Sequence, residues 1–530
     1  MHVKAVVGAV VLLLGCTACG GTAGARSGGV VTAVWGAPQE PFTPGDSIDS
    51  NGVKVVESIL TGLISYDPKT SAPVKENAAS ISSTDQQHFT VTLEPGWTFS
   101  DGSPVTASSY VDAWNYAALS THKQLNASYF QYIQGYHAVQ PSSGAPTADT
   151  LSGLRVVNDT TFTVALSQKF STWPETLGAA AYAPLPAAFF KDPAAWEKHP
   201  VGDGPYRIAS YVVNQQVDLV PYTGYRGTQK PQNDGIDLKV YTDPASAYAD
   251  LQAGRLDIDD TLPLTELGNA AGDLDGRLVN TPSGSLSHLA FPMYAKGWGG
   301  KRGAEVRQGI SMAINRPLIV SKIFHGTVTP ATDWTSPSVS GYRAGLCGAY
   351  CRYDPAAAKQ LIAAAGGIPG GSFTITYNAD AGNQPWVDAV CNSINNALGD
   401  DRACVGRPVA TFADFRNQVG NRQMTGPFRS SWEMEYPLTQ DFLQPLFATG
   451  GAGNDPDYRN PAFDALMGQA DAAPDSASAD RLYQQAEGLL AADMPSIPLW
   501  YQNSVAGYSA AVSDVRMDGF RTPVYYAVRK

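Results

Sequence analysis

Hydrophobic spacing along the first half of the chain switches repeatedly between a helical period and a strand period. NGVKVVESILTGLISYDP carries apolar residues at helical spacing and predicts a helix that ends before Asp67. TASSYVDAWNYAA predicts a second helix, with Thr106 and Ser108 as candidate N-caps. Alternation in HFTVTLEPGWTF predicts a strand, and YRIASYVVNQQVDLVPY predicts a hairpin.

The second half of the chain continues this mixture. DPASAYADLQAGRLDI predicts a capped helix followed by a strand, and GAEVRQGISMAINRPLIVSKIF predicts a long amphipathic helix that Pro317 interrupts. GSFTITYNAD, PWVDAVCNSINNAL and RPVATF predict strand, helix and strand, and SIPLWYQNSVAGYS predicts a late strand. Because strands and helices alternate throughout, the predicted class is α/β with several sheets.

Composition limits the number of domains and the class of partner. A chain of 530 residues is too long for one hydrophobic core, so at least two domains are expected. Gly and Pro number 52 and 37, which indicates many turns. The net charge is −12 and no block of Lys and Arg occurs, so the sequence argues against binding to nucleic acid.

The N-terminus has the pattern of an export signal. Residues 1–15, MHVKAVVGAVVLLLG, contain Lys4 and an apolar run that is too short to span a bilayer. The string LLGC resembles the lipobox of bacterial lipoproteins, which makes Cys16 the expected lipid-modified residue and Cys19 the alternative. Residues 16–29 are small and polar and predict a flexible tether.

Four further cysteines follow much later in the chain. An exported protein can keep disulfides, and four cysteines allow three pairings. The short spans favour Cys347 with Cys351 and Cys391 with Cys404 as the simplest pairing. A zinc site is disfavoured because these four residues lack paired CxxC spacing.

Motifs for catalysis, metal binding and cofactor binding are missing from the sequence. No GxSxG elbow occurs, and GGKR ends in Arg302 where a phosphate-binding loop needs Ser or Thr. No two histidines stand at HxH or HxxxH spacing. Asp259 and Asp260 follow a strand and are interpreted as a solvated turn rather than a pair of catalytic carboxylates. We therefore expect a protein that is not an enzyme and that holds no metal or cofactor.

Five segments, in order, resemble the peptide-binding family of extracytoplasmic solute-binding proteins of ABC importers. The resemblance covers about residues 30–525, and the segments are GWTFSDGSPVTASSYVDAWNY, PVGDGPYRIASY, HLAFPM with EVRQGISMAINRPLIV, SSWEMEYPLTQDFLQPLF and NPAFDALM.

The resemblance implies a periplasmic-binding-protein-like clamshell of class II, with two lobes and an extra third domain. Its ligand would lie in the cleft between the lobes and be enclosed by hinge closure. The expected domains are lobe I (residues 30–66, 182–283 and 506–530), the extra domain (67–181) and lobe II (284–505).

The resemblance also implies the centre of the binding site. In the family an aspartate three residues after a tryptophan pairs with the α-ammonium group of the ligand. Trp432 is that tryptophan here, and Glu435 stands at the position of the aspartate. The glutamate is one methylene longer, which changes the expected position of the amine.

Other ligand contacts are implied by the same resemblance. Arg429 and Arg422 would meet a ligand carboxylate, with an internal salt bridge as the alternative for each. The backbone of Ser431 and Glu433 would pair with an extended ligand as an added strand. The resemblance places four more residues at the cleft, and for the last of them core packing is the alternative: Tyr129, Asn378, Gln384 and Trp386.

The function implied is a lipid-anchored receptor on the extracytoplasmic face of the bacterial cell membrane. It would be a monomer that captures peptides and delivers them to ABC permease subunits with their cytoplasmic ATPases. The same architecture with another solute, such as an oligosaccharide, a nickel chelate, haem or a siderophore, stays open at this point. A hydrolase on the cell surface is the second alternative.

The N-terminal pattern yields the first testable prediction. Because the thiol of Cys16 would carry the lipid, Cys16→Ser should release the protein to the medium or leave it as an unprocessed precursor. Fractionation of cells that express the variant checks this outcome. Normal processing and anchoring of Cys16→Ser, together with failure of Cys19→Ser, would move the modified residue to Cys19.

Overall fold

The computed structural model describes residues 29–530, and the predicted signal peptide, Cys16, Cys19 and nearly all of the tether lie outside the described residues. The strands, in chain order, are β1 (Val30–Trp35), β2 (Ile64–Tyr66), β3 (Pro73–Lys75), β4 (Ala78–Ser83), β5 (His88–Leu93), β6 (Leu154–Asn158), β7 (Thr161–Ala165), β8 (Tyr206–Val212), β9 (Gln216–Pro221), β10 (Gly235–Val240), β11 (Ile258–Asp259), β12 (Leu278–Ala290), β13 (Val328–Pro330), β14 (Phe373–Asn378), β15 (Cys404–Val409), β16 (Phe428–Glu433) and β17 (Ser496–Tyr508).

The α-helices alternate with these strands. In chain order they are α1 (Ser50–Ile59), α2 (Ala107–Ala118), α3 (Tyr136–Val139), α4 (Trp173–Thr176), α5 (Pro193–Lys198), α6 (Pro244–Gln252), α7 (Ala270–Asp273), α8 (Gly300–Met312), α9 (Arg316–Ile323), α10 (Pro355–Ala364), α11 (Gln384–Leu398), α12 (Phe412–Gly420), α13 (Thr439–Phe447), α14 (Pro461–Asp471) and α15 (Ser476–Asp493).

Capping residues fix the helix boundaries that the sequence suggested. Thr106 caps α2 through a capping box with Ser109. Asp243 caps α6, and the predicted interruption at Pro317 separates α8 from α9. The prediction for α1 was too long, because the helix ends at Ile59 and the residues that follow include strand β2.

The described strands form one large sheet and two small ones. The large sheet has eleven strands in the order β15-β14-β16-β12-β17-β11-β1-β10-β9-β8, with β13 paired to β17. Strands β4, β5, β7 and β6 form a four-stranded antiparallel sheet, and β2 pairs with β3. This mixed architecture agrees with the predicted α/β class.

Strands β12 and β17 run through the large sheet from one half to the other, and each is 13 residues long. Their register shifts between Pro282 and Ser285. At this irregularity the Met434 amide donates to the Gly284 carbonyl, and a Cβ on Gly284 would lie only 2.0 Å from the Met434 sulfur. The missing side chain thus lets the segment after β16 pack closely against β12. The expected boundary between lobes at residues 283 and 284 lies at this point and stays a prediction.

Three hydrophobic cores account for most of the buried apolar side chains. One extends from Leu289 to Trp500 and lies beneath the second half of the large sheet. Another draws on residues 63–196 around Trp114, which extends past both ends of the expected extra domain. The third lies around β1, α1 and β10 and includes Val528 near the C-terminus. Separate cores are what a chain of this length requires.

The interpretation of Asp259 and Asp260 as a solvated turn was wrong. Strand β11 pairs with β1 on one side and β17 on the other, so Asp259 lies inside the large sheet, and Asp260 follows directly after the strand. The side chain of Asp260 is 4% exposed and forms an ion pair of 2.5 Å with Lys54 of α1, which is 5% exposed. Asp259 accepts a hydrogen bond from the Thr261 amide. The partner that neutralises this segment, Lys54, stands about 200 positions earlier in the chain.

Both expected disulfides are present in the structure, as Cys347–Cys351 and Cys391–Cys404. The second joins α11 to β15 inside the core of the second half of the sheet. Among residues 29–530, no helix is long and apolar enough to cross a membrane. No group of three or more metal-ligating side chains occurs within the same range.

The disulfides yield a stability prediction. Cys391 and Cys404 close a loop of 14 residues, which the chain-entropy model values at about 3 kcal/mol of unfolding free energy. Replacing both with alanine should lower the free energy of unfolding by roughly that amount in a urea titration.

The matched control for this prediction is the pair Cys347→Ala and Cys351→Ala. This pair closes only five residues, so its removal should cost about 1 kcal/mol less in the same model. Equal losses for the two double variants would contradict the loop-entropy account.

Candidate functional site

A cavity of about 610 Å³ lies between residues of the expected lobe I and residues of the expected lobe II, and we call it the cleft. Lobe I contributes Asn51 and Lys54 of α1 and the loop after β11, together with Phe520 and Arg521 near the C-terminus. Lobe II contributes side chains of β12, β16, β17 and α11, namely Ser287, Arg429, Ser430, Ser431, Glu433, Gln502, Trp500, Asn383 and Trp386. This is the kind of interdomain position where small-ligand sites occur.

Strand β16 presents a free backbone edge to the cleft. On one side it pairs with β12 over six residues, from Phe428 to Glu433. On the other side β14 meets it only at Phe428, opposite Thr376. Within the described chain no strand covers the remaining edge, so alternate amide and carbonyl groups of residues 429–433 face away from β12. Such an edge is suited to the addition of an extended segment.

Arg429 extends from this edge without an acidic partner. Its Nε donates to Asn378 Oδ1 at 2.8 Å, and its Nη1 donates to Ser431 Oγ at 3.5 Å. The guanidinium lies 5.1 Å from the ring centre of Phe412 and 5.4 Å from that of Phe415. Burial, with a contribution from nearby Arg416, lowers the pKa of Arg429. Within residues 29–530 no carboxylate lies within salt-bridge distance, so the group is available to an anionic ligand.

The loop after β14 supports Arg429 from behind. Asn378 is 1% exposed and holds the arginine through its side-chain oxygen, which also accepts from Asn383 Nδ2 at 3.1 Å. Trp386 donates to Asn383 Oδ1 at 3.0 Å and packs edge-on against Trp500 at 5.3 Å. Trp386 therefore belongs both to the core and to the cleft wall. Asn383, rather than the predicted Gln384, lines the cleft.

Arg422 and Glu433 each form an ion pair with another residue of the protein. Arg422 lies 3.2 Å from Asp457 and over the ring of Tyr294, outside the residues that line the cleft. This geometry favours the internal salt bridge that the sequence left as its alternative. Glu433 does line the cleft, where its carboxylate accepts from Arg521 at 2.8 Å. Neither side chain leaves an unpaired charge for a ligand.

Glu435 lies beyond the end of β16, in a surrounding of its own. Its amide donates to Asp441 Oδ2 at 2.9 Å, and Trp432 Nε1 donates to the same oxygen at 3.3 Å. Glu435 is exposed to solvent, and no residue of the described chain donates a hydrogen bond to its carboxylate. Partial desolvation by the surrounding protein raises the pKa of Glu435 to about 7. The carboxylate thus lacks a cation.

A second acid increases this effect. Asp441 belongs to the first turn of α13 and is 1% exposed. Burial, followed by the charge of Glu435, raises the pKa of Asp441 well above its ordinary value. Because Asp441 is buried, it cannot ionise beside a charged Glu435 at low cost unless a cation joins the two carboxyl groups. The pair is therefore arranged to attract a positively charged group.

Two tyrosines of the expected extra domain and lobe I, Tyr129 and Tyr182, lie near Glu435. The charge of Glu435 contributes to the raised pKa of both Tyr129 and Tyr182, after burial as the larger cause. The Tyr182 hydroxyl donates to the Tyr129 carbonyl at 2.6 Å, and the two rings meet edge to face at 5.8 Å. Aromatic faces next to carboxylates suit an ammonium group.

Sequence reasoning brought several of these residues together and missed others. Among the predicted residues, Arg429, Ser431, Glu433 and Trp386 line the cleft and Asn378 supports it. Trp432 and Glu435 are not among the residues that line the cleft, and Tyr129 lies near Glu435. The missed residues are Asp441, Tyr182, Asn383, and the pair of Lys54 and Asp260. For Lys54 the sequence contained one usable signal of a buried charge, since the residue interrupts the apolar face of helix α1. In the structure Lys54 is 5% exposed.

Titration of Glu435 yields a prediction about stability. Its pKa is about 7 in the folded chain and 4.5 ordinarily, so between these values the folded chain holds more protons than the unfolded chain. This group therefore lowers the free energy of unfolding as pH rises through that window. Melting temperatures of the ligand-free protein at about pH 5 and about pH 7.5 should differ less in Glu435→Gln than in the parent.

The control for this experiment is Glu433→Gln, which alters an exposed side chain paired with Arg521 and leaves Glu435 in place. Its melting temperature should follow pH as the parent does. An unchanged pH dependence in Glu435→Gln would show that Glu435 titrates near its ordinary pKa.

Comparison with known proteins places this geometry in a family. MppA, a periplasmic murein peptide-binding protein of Escherichia coli K12, is 26% identical over 470 residues, which cover 86% of this chain and 84% of MppA. A solved structure of MppA in its unliganded open form matches with a TM-score of 0.81 at 21% identity, covering 95% of this chain and 98% of the other. Haemophilus influenzae OppA, solved with RPPGFSPFR, matches with a TM-score of 0.73 at 19% identity, covering 94% and 98%.

These structural matches confirm the predicted multi-domain fold of periplasmic-binding-protein type. The model of the family described as "Bacterial extracellular solute-binding proteins, family 5 Middle" matches residues 72–454, which is more than half of the chain. The chain therefore belongs to the bacterial extracellular solute-binding proteins of family 5.

Proposed function

We propose that this protein is the substrate-binding receptor of an ABC importer and that it captures peptides in the cleft. The observation that carries the proposal is a complementary set of unpaired groups. Glu435 has no cation, Arg429 has no acid, and the free edge of β16 lies between them. A peptide in its zwitterionic form has an ammonium group, a backbone and a carboxylate in that order, so it satisfies all three.

The spacing of these groups limits the length of the ligand. Six residues separate Arg429 from Glu435, which corresponds to about 20 Å if the backbone stays extended at about 3.3 Å per residue. An extended peptide that bridges the two charges has up to about six residues. Backbone pairing along β16 would recognise the main chain and therefore tolerate many side chains.

The relatives support the same class of ligand. MppA is named for binding murein peptides, and the OppA structure holds the peptide RPPGFSPFR. Both are binding proteins, and we propose no catalytic role for this chain. No observation on the cleft favours an oligosaccharide, a metal chelate or haem over a peptide.

The proposed cycle has the receptor anchored by a lipid on Cys16, or on Cys19, at the extracytoplasmic face of the membrane. Binding would close the two lobes about β12 and β17, which bring the walls of the cleft together. The closed monomer would then deliver its peptide to the permease subunits and their ATPases. The three predicted domains keep their roles in this proposal as two lobes and an accessory domain.

Substitution of Glu435 tests the proposal directly. Glu435→Gln keeps the size of the side chain but cannot pair with an ammonium group. Loss of one partner from such a pair costs about 2–5 kcal/mol, so affinity for a free peptide should fall roughly thirtyfold to several thousandfold. An N-acetylated version of the same peptide has no α-ammonium charge, so its affinity should fall much less. Calorimetry on both peptides measures the difference.

Arg429→Gln supplies the reciprocal arm of the same experiment. It should weaken the binding of a peptide with a free carboxylate and have less effect on the binding of the amidated peptide, because only the free carboxylate pairs with the guanidinium. Glu433→Gln is the control for both and should change neither preference, since Glu433 is paired with Arg521. If Glu435→Gln binds free peptide as tightly as the parent does, the assignment of the ammonium site is wrong.

A further inference from the structure

A second, smaller cavity of about 120 Å³ lies mainly within lobe I, at its border with the extra domain, and we call it the lobe I cavity. It lies between the C-terminal half of α1, strand β2, the segment around Ala179 and the C-terminal segment 518–526. Its volume equals that of about four water molecules, which is enough for a short linear group. The cavity shares Lys54 and Phe520 with the cleft, so the two spaces adjoin.

Buried hydroxyl groups in the wall of the lobe I cavity lack partners. Tyr525 is 4% exposed and Thr61 is 6% exposed, and both line the cavity. Within residues 29–530 neither the Tyr525 hydroxyl nor Thr61 Oγ1 has a hydrogen-bond partner. Buried polar groups are normally satisfied, and those that are not require an explanation. A ligand group that hydrogen-bonds inside the cavity would supply one.

The remaining polar groups of the wall are mainly acidic. No residue of the described chain hydrogen-bonds to the Glu57 carboxylate, and the Asp518 carboxylate accepts only from the amides of Phe520 and Thr522. Burial, with the nearby charge of Asp518 as the second cause, raises the pKa of Glu57 to about 8. Burial also raises the pKa of Asp518 to about 6. A cation beside them would favour the ionised form of both.

The one basic side chain in the wall is already neutralised. Lys54 forms its ion pair with Asp260, on the side of the cleft. The aromatic residues of the wall add faces that attract cations, and among them Tyr66 stacks on Phe520 at 5.4 Å. The charge of Asp441 contributes to the raised pKa of Tyr66, so Tyr66 also lies near the two acids Glu435 and Asp441. The lobe I cavity thus combines acids, hydroxyls and aromatic faces beside the cleft.

We propose that the lobe I cavity is a subsite for the side-chain ammonium of a bound peptide, such as that of lysine, with Glu57 as its counter-ion and Thr61 and Tyr525 as hydrogen-bonding partners. The inference rests on the proposed peptide-binding function and makes it more specific. The linear side chain of lysine fits the volume, and its tetramethylene stem suits the aromatic walls. The receptor would then prefer peptides that carry lysine at one position.

The experiment compares peptides that differ only in this ammonium group. A peptide series with lysine or norleucine at each successive position is titrated by calorimetry against the parent, Glu57→Gln, Thr61→Val and Glu94→Gln. At one position the parent should bind lysine at least about tenfold more tightly than norleucine, as a charged hydrogen bond allows. Glu57→Gln should abolish this ratio, and Thr61→Val should reduce it. Glu94→Gln changes an exposed glutamate outside both cavities and should keep it.

Glu435→Gln separates this inference from the proposed function. This variant should weaken the binding of the lysine and norleucine peptides alike and leave the ratio of their affinities unchanged. If the parent binds both peptides equally at every position, or if Glu57→Gln keeps the preference, the subsite is wrong and peptide binding stands. If no peptide binds the parent, both proposals fail. Binding of free butylammonium without any preference among peptides would also overturn the subsite, because the cavity would then serve a separate ligand.

Folding of the variants is checked by circular dichroism. Glu57→Gln removes an acid that has no partner, so the fold should persist. If Glu57→Gln nevertheless fails to fold, Thr61→Val decides the case. Its substitution keeps the shape of the side chain and removes only the unpartnered hydroxyl. An unchanged preference for lysine in Thr61→Val would then refute the subsite.

Discussion

The pairing of β12 with β17 is the interaction on which the rest of this structure depends. The two 13-residue strands hydrogen-bond along most of their length and belong to both halves of the large sheet. Strand β16 joins the sheet beside β12, and β11 joins it beside β17. The walls of the cleft are therefore held by the same pair of strands, about which the proposed closure would occur. The irregular register at Pro282 and Ser285 is the natural place for such bending.

Charge pairing decides which side chains in and around the cleft remain available to a ligand. Lys54 is neutralised by Asp260, Arg422 by Asp457 and Glu433 by Arg521. Glu435 and Arg429 are not neutralised by any residue of the described chain, although both lose hydration to their surroundings. An unpaired charge in such a place is costly, and a ligand of opposite charge removes that cost. The affinity for a charged ligand should therefore depend on these two groups more than on the number of polar residues nearby.

Local structure followed from the sequence where the determinants are local. The capped start of α2, the break between α8 and α9 at Pro317 and the β8–β9 hairpin all agree with the pattern of residues. Resemblance to the family added the fold and most of the residues near the cleft. The prediction failed where a distant partner decides the outcome. The end of α1 and the burial of Asp260 are the two examples, because β2 and Lys54 act through tertiary contacts.

The sequence by itself determined the class of fold, the close pairing of the cysteines and the segment that carries Trp432 and Glu435. Those properties depend on periodicity, short separations and motifs, which are visible within one stretch of chain. Only the tertiary structure decided which charges are free. Whether Arg429 or Arg422 lacks an acid depends on residues far away in the chain, and the raised pKa of Asp441, six positions after Glu435, depends on its burial. Hydration and pairing are properties of the assembled surroundings, so no local pattern encodes them.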